Sequence, residues 1–168
     1  MSKALFVTAI VVGALDLFAV AAQPERPRAV FTEAQAATGK AAYESVCFNC
    51  HTYALTGRKG DPAELPTVDS LTEPYRKSVQ DGIGKIPALA GEAFVKRWAG
   101  RTTQALSTRI TTAIGGFPPA GLDANTANNL AAYFLKVSGA PAGTQELGTP
   151  ATTEVLIRET MPSGAAAR

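Results

Sequence analysis

The chain of 168 residues contains one histidine, two cysteines, two methionines and one tryptophan, and each scarcity excludes something. Two thiols and one imidazole fall short of the four or so ligands that a zinc ion needs. No basic run and no stripe of basic and aromatic residues is present, so the electrostatic footprint of a nucleic-acid-binding protein is missing. Past residue 22 no stretch supplies the roughly 20 apolar residues that a bilayer span requires. Strand alternation is too weak to support a sheet, and no internal repeat is visible. What remains is an all-α chain with long loops.

What is there begins with Lys3, a mostly apolar run over 4–20, small residues over 19–22 and the charged, proline-rich stretch QPERPR. This is the layout of a secretory signal, expected to span 1–22 and to be cleaved near Ala21 or Ala22. Asp16 interrupts the apolar run and weakens the rival reading, an uncleaved membrane anchor, because a carboxylate is costly in lipid. Lys3 and Asp16 leave together, so the mature chain keeps the formal charge of +2. Export to the periplasm puts both cysteines in an oxidising compartment, where they form a disulfide or are consumed by other chemistry.

The mature chain divides into a linker at 23–31, a domain at 32–138 carrying an extended loop at 52–86, and a tail at 139–168. Thr32 and Gln35 have the spacing of a capping box, followed by Ala-rich sequence up to the cysteines. The stretch 52–87 is dense in proline, glycine and mixed charge and reads as loop, with a short helix from Tyr75 to Val79. Phe94 and Trp98, then Leu106, Ile110 and Ile114, stand four apart and predict one helix broken near Gly100, or two short ones. GGFPPAG at 115–121 predicts a turn. Asp123 predicts the cap of a last helix whose apolar residues Leu130, Tyr133, Phe134 and Val137 share a face, with Gly139 placed to end it. The tail, rich in Pro, Gly, Ala and Thr, is expected to drape over the surface and to end in disorder.

Chemistry concentrates in CFNCH at 47–51, which holds both cysteines and the histidine. In a helical turn Cys47, Cys50 and His51 lie at i, i+3 and i+4 and share one face. Two thiols so placed can form thioethers to the two vinyl groups on one edge of a haem, while the adjacent imidazole binds the iron; C-x-x-C-H is the attachment pattern of haem c. A Cys47–Cys50 disulfide and a thioredoxin-like redox pair use the same letters, but the redox pair follows a strand, and an Ala-rich helix stands here instead.

Around that motif the chain resembles the class I, mono-haem c-type cytochromes over residues 32–138. GKAAYESVCFNCH is similar to the family's amino-terminal helix, IPALAG to its P-x-L-x-G loop, and GLDANTANNLAAYFLK to its last helix. The resemblance implies a small all-α fold holding one covalent haem c. Its first and last helices would cross at Gly39, with Tyr43 against Tyr133 and Phe134. It also implies that the Pro87 carbonyl accepts the hydrogen bond from the free ring nitrogen of His51, with Phe94 and Trp98 walling the pocket or filling core.

Family members place a methionine, the sixth iron ligand, before a proline ahead of the last helix. Here Phe117 precedes Pro118, and a phenyl ring cannot coordinate iron. Three arrangements follow: a vacant distal side beside Phe117, a fold-back of Met161 from the tail, or a donor such as a lysine from the 52–86 loop. An exported single-electron carrier, or the cytochrome subunit of a larger oxidoreductase working with a dehydrogenase or an oxidase, is the leading expectation. It is an electron-transfer protein rather than an enzyme in its own right. The alternative is a five-coordinate haem protein that binds or senses a small gas. Peroxide chemistry is disfavoured because no second histidine could serve as a distal acid or base.

Overall fold

The computed structural model describes residues 26–112 and 122–162. The signal expected at 1–22, the turn with Phe117 and Pro118, Ile114 and the last six residues lie outside them. Helix α1, Glu33–Ala42, starts at Thr32: its hydroxyl accepts from the Gln35 N–H and the Gln35 side chain returns the bond, closing the capping box. The chain then widens into a π turn, Tyr43–Cys47, and tightens into α2, Phe48–His51. Such a bulge often marks a functional position in a helix.

Helix α6, Ala124–Val137, is capped by Asp123, whose carboxylate accepts from the Thr126 N–H at 2.9 Å, and the chain leaves through Gly139 at φ +98. It packs along α1. Gly39 permits this, because a Cβ there would run into the backbone carbonyl of Asn129. One turn on, the Tyr43 ring meets Tyr133 at 5.6 Å and Phe134 edge-on at 6.0 Å between centroids. The inward face of α6 is Ala127, Leu130, Ala131, Phe134 and Leu135, whereas Val137, expected to share it, is 46% exposed. Val137 keeps the register of that face but lies in the last turn of α6, past the end of the core.

Between these two helices come a 3₁₀ turn at Val68–Ser70, then α3, Tyr75–Gly82, α4, Gly91–Trp98, and α5, Thr103–Thr112. The periodic stretch after Glu92 is therefore two helices. The buried residues Phe94, Trp98, Leu106 and Ile110 belong to the same core cluster as Tyr43 and Phe134. No strand occurs among the described residues, and Thr102 makes an isolated antiparallel bridge with Leu156.

The tail corrects the expectation of a loose drape. Its described part forms two short helices, α7, Pro150–Thr153, and α8, Ile157–Thr160. Leu147, Thr152, Val155, Ile157, Thr160 and Met161 are buried. Thr103 N–H donates to Val155 O at 2.9 Å, Ile157 N–H to Arg101 O at 2.9 Å and Arg158 N–H to Ala99 O at 3.2 Å, so the tail fastens to the α4–α5 connection. The Gln35 amide, besides its capping role, donates to Leu147 O at 3.0 Å and accepts from Leu147 N–H at 2.8 Å. Val30 and Phe31, in the expected linker, are buried too. Gly143 N–H donates to Phe31 O at 2.8 Å and Arg28 N–H to Glu159 O at 2.7 Å, joining the two ends of the described chain.

Candidate functional site

Cys47 closes the π turn, and Cys50 and His51 close α2, so one continuous helical stretch carries all three expected site residues. Thr52 then stops the helix at φ +68, an unusual backbone for a β-branched residue. The Tyr43 hydroxyl holds that strained corner, donating to the Thr52 carbonyl at 2.5 Å inside the core. Burial raises the Tyr43 phenol far above its usual range, so it remains a donor. Phe48, half-buried against the core, stacks on the exposed Tyr53 at 4.8 Å with the rings 10° from parallel.

His51 meets Pro87 as expected: its Nδ1 lies 2.9 Å from the Pro87 carbonyl oxygen. A carbonyl can only accept, so Nδ1 carries the proton and Nε2 keeps a free lone pair. Burial pushes the His51 pKa below its ordinary value; the Pro87 bond opposes this and the Arg58 charge adds to it. The imidazole is therefore neutral and fixed in one tautomer, which is the form that ligates a metal.

Cys47 and Cys50 are free thiols, half-buried. Burial, with the neighbouring Cys50 second, pushes the Cys47 thiol up to about 11. Burial raises Cys50 as well, against the opposing Arg58 charge. Both stay protonated near neutral pH, unlike the depressed thiols of disulfide oxidoreductases. Among the described residues no group of three His, Cys, Asp or Glu side chains is arranged to hold a bare metal ion. Two free thiols and a neutral imidazole with one open nitrogen suit a group tethered at two points and ligated at a third.

Arg58 was not legible as a site residue. It lies in the 52–86 loop beside exposed Lys59, yet it is 1% exposed. Its guanidinium donates to Asn49 O at 2.8 Å, Cys50 O at 3.3 Å and Pro66 O at 2.6 Å, capping the carbonyl end of α2. No local pattern separates this arginine from its neighbours, because its acceptors come from the helix behind it and from the loop ahead. Gly57, at φ +73, lets the chain press against Ile86 and Pro87, where a Cβ would collide with backbone.

Phe94 and Trp98 are buried with centroids 6.4 Å apart, and Arg101 lies 5.4 Å over the Trp98 ring. Met161 follows α8 and is 5% exposed in the core cluster. Leu89 N–H donates to Leu55 O at 2.8 Å, so the amino-terminal end of α4 adjoins the loop after His51. The tail preceding Met161 is pinned beyond the other end of α4, about 12 Å along the axis at 1.5 Å per residue. Phe117 lies outside the described residues.

A family model described as cytochrome C oxidase, cbb3-type, subunit III matches residues 34–134, more than half of the chain. No curated protein and no solved structure matches.

Proposed function

The chain belongs to the class I c-type cytochromes, whose domain binds an iron-containing haem c covalently, and on that premise we propose an exported mono-haem protein that transfers single electrons. The observation that carries the proposal is the His51–Pro87 hydrogen bond, which leaves His51 Nε2 as a fixed, neutral donor. Cys47 and Cys50 would hold the haem through thioethers and His51 would bind its iron. Bound there, the haem supplies one-electron redox chemistry, while the protein supplies orientation and electrostatics. Tyr43 locks the corner after His51, and the π turn with α2 presents both thiols from one helical stretch.

As to partners, we read the chain as a soluble carrier or as the cytochrome subunit of a larger oxidoreductase, with an oxidase or a dehydrogenase exchanging electrons with it. The subunit reading is supported by the description of the matching family model. No helix among the described residues is long and apolar enough to cross a membrane. Export, with a signal over 1–22 and the haem domain over 32–138, is part of the same proposal and rests on the sequence.

Mass spectrometry of the mature chain, made in cells competent to attach haem c, tests the reading. Wild-type protein should carry one haem after denaturation, and the Cys47→Ser/Cys50→Ser double variant none. An unmodified wild-type polypeptide would overturn the proposal; haem retained covalently by the double variant would overturn the site.

One observation favours a second reading. Met161, the only methionine besides Met1, is committed to core packing. That favours a haem without a methionine ligand, whose open side admits a small gas. The reduced protein should then change its visible spectrum under CO, and an unchanged spectrum would remove this reading.

A further inference from the structure

Arg58 is a fully buried cation paired to carbonyl oxygens. The ion pairs among the described residues are Arg28–Glu159, Lys40–Glu44, Lys77–Asp81 and Lys136–Glu33, all at the surface, and none involves Arg58. A buried charge without a counter-ion is expensive, and a protein that keeps one satisfies it with dipoles. Here the Asn49, Cys50 and Pro66 carbonyls do so. Asn49 and Cys50 immediately precede His51 in α2.

The Arg58 backbone reaches the other partner of the His51 bond. Its N–H donates to Ile86 O at 3.2 Å, and its carbonyl accepts from Gly84 N–H at 2.9 Å. Ile86 precedes Pro87, whose carbonyl holds His51. Arg58 therefore grips the residues flanking both ends of the His51–Pro87 hydrogen bond, with its side chain on the helix and its backbone on the loop.

We infer that Arg58 is a positioning residue for the iron ligand: it fixes His51 against Pro87 and, as a buried positive charge beside that ligand, raises the reduction potential of the haem. The inference rests on the haem reading above. A fixed positive charge disfavours the more positive oxidised iron relative to the reduced one, and burial spares the effect from screening by salt. A merely structural tie would change stability and leave the potential where it was.

The test is a spectroelectrochemical titration of the haem-loaded wild type, Arg58→Gln and Arg58→Lys at low and high salt, with proton NMR of the ferric form to follow the His51 resonances. Arg58→Gln should show a potential shifted downward at both salt concentrations and displaced His51 resonances, and Arg58→Lys should restore most of the potential. Equal potentials for wild type and Arg58→Gln, with haem attached in both, overturn the inference and leave the functional reading intact. A wild type without covalent haem defeats both. Should Arg58→Gln fail to load haem, Arg58→Lys decides: a potential near that of the wild type supports the role of the charge, and a clear fall overturns it.

Discussion

Gly39 sits directly against the backbone carbonyl of Asn129, so closely that a Cβ on residue 39 would overlap that carbonyl and crowd the Leu130 nitrogen. The obstacle is backbone at the centre of α6, where the surrounding residues Ala127, Leu130 and Ala131 are fully packed. Neither helix can yield without unseating the aromatic cluster formed by Tyr43, Tyr133 and Phe134.

Gly39→Ala should therefore destabilise the protein. On an exposed helix the same change stabilises by about 1 kcal/mol, whereas forcing a methyl into packed backbone costs about 1–3 kcal/mol or more. Guanidinium unfolding of the haem-loaded protein reads the sign directly. A gain in stability would show that the two helices do not cross at this contact.

Met161→Ala should cost about 2–5 kcal/mol in the same unfolding measurement, as for other methionines removed from a core. The visible spectrum of the reduced haem should be unaltered, because the tail leading to Met161 is fastened to Ala99 and Arg101. A spectrum altered by this substitution would put the Met161 sulfur on the iron and return the fold-back arrangement to consideration.

Stability should fall as the solution is acidified, starting near the ordinary histidine pKa of 6.5. The folded-state pKa of His51 is lowered, chiefly by burial, so in the window below 6.5 the unfolded chain binds a proton that the folded chain excludes. Stability contributed by the neutral imidazole is thus present above 6.5 and lost as pH falls through the lower folded value. Iron bound at Nε2, as proposed above, would compete with the same proton and act in the same direction. Thermal midpoints between about pH 8 and about pH 5 should be flat and then decline; a midpoint that rises on acidification would show His51 to be charged in the fold.

Much of the helical frame was legible because its signals are local. Thr32 with Gln35 announced the start of α1, Asp123 the start of α6 and Gly139 its end, and each acts through bonds a few residues away. The stretch after Glu92 was legible as one helix broken near Gly100 or two short ones, and the structure makes it α4 and α5. The placement of Cys47, Cys50 and His51 on one helical stretch was legible for the same reason, since their spacing is local. Val137 was misread because the periodicity marks a face and not where the core ends.

The tail was misread because composition governed that expectation. Pro, Gly, Ala and Thr describe a chain with little local preference, but small residues also pack closely once a surface is offered. Gln35 offers one across 112 residues of sequence, and Arg28 reaches Glu159 across 131.

By itself, then, the sequence determined the start of α1 and both ends of α6, put Cys47, Cys50 and His51 at the spacing of one helical face, and set Phe117 where the family it resembles carries a methionine. Only the tertiary structure decided that Arg58 is buried against α2 and that Met161 is packed into the core, and it supplied the geometry of the His51–Pro87 bond that the family resemblance had implied. The division follows the reach of the forces. Caps and ligand spacing act within one or two turns and leave a mark on neighbouring letters, whereas burial of a charge or a thioether depends on which distant backbone closes over it.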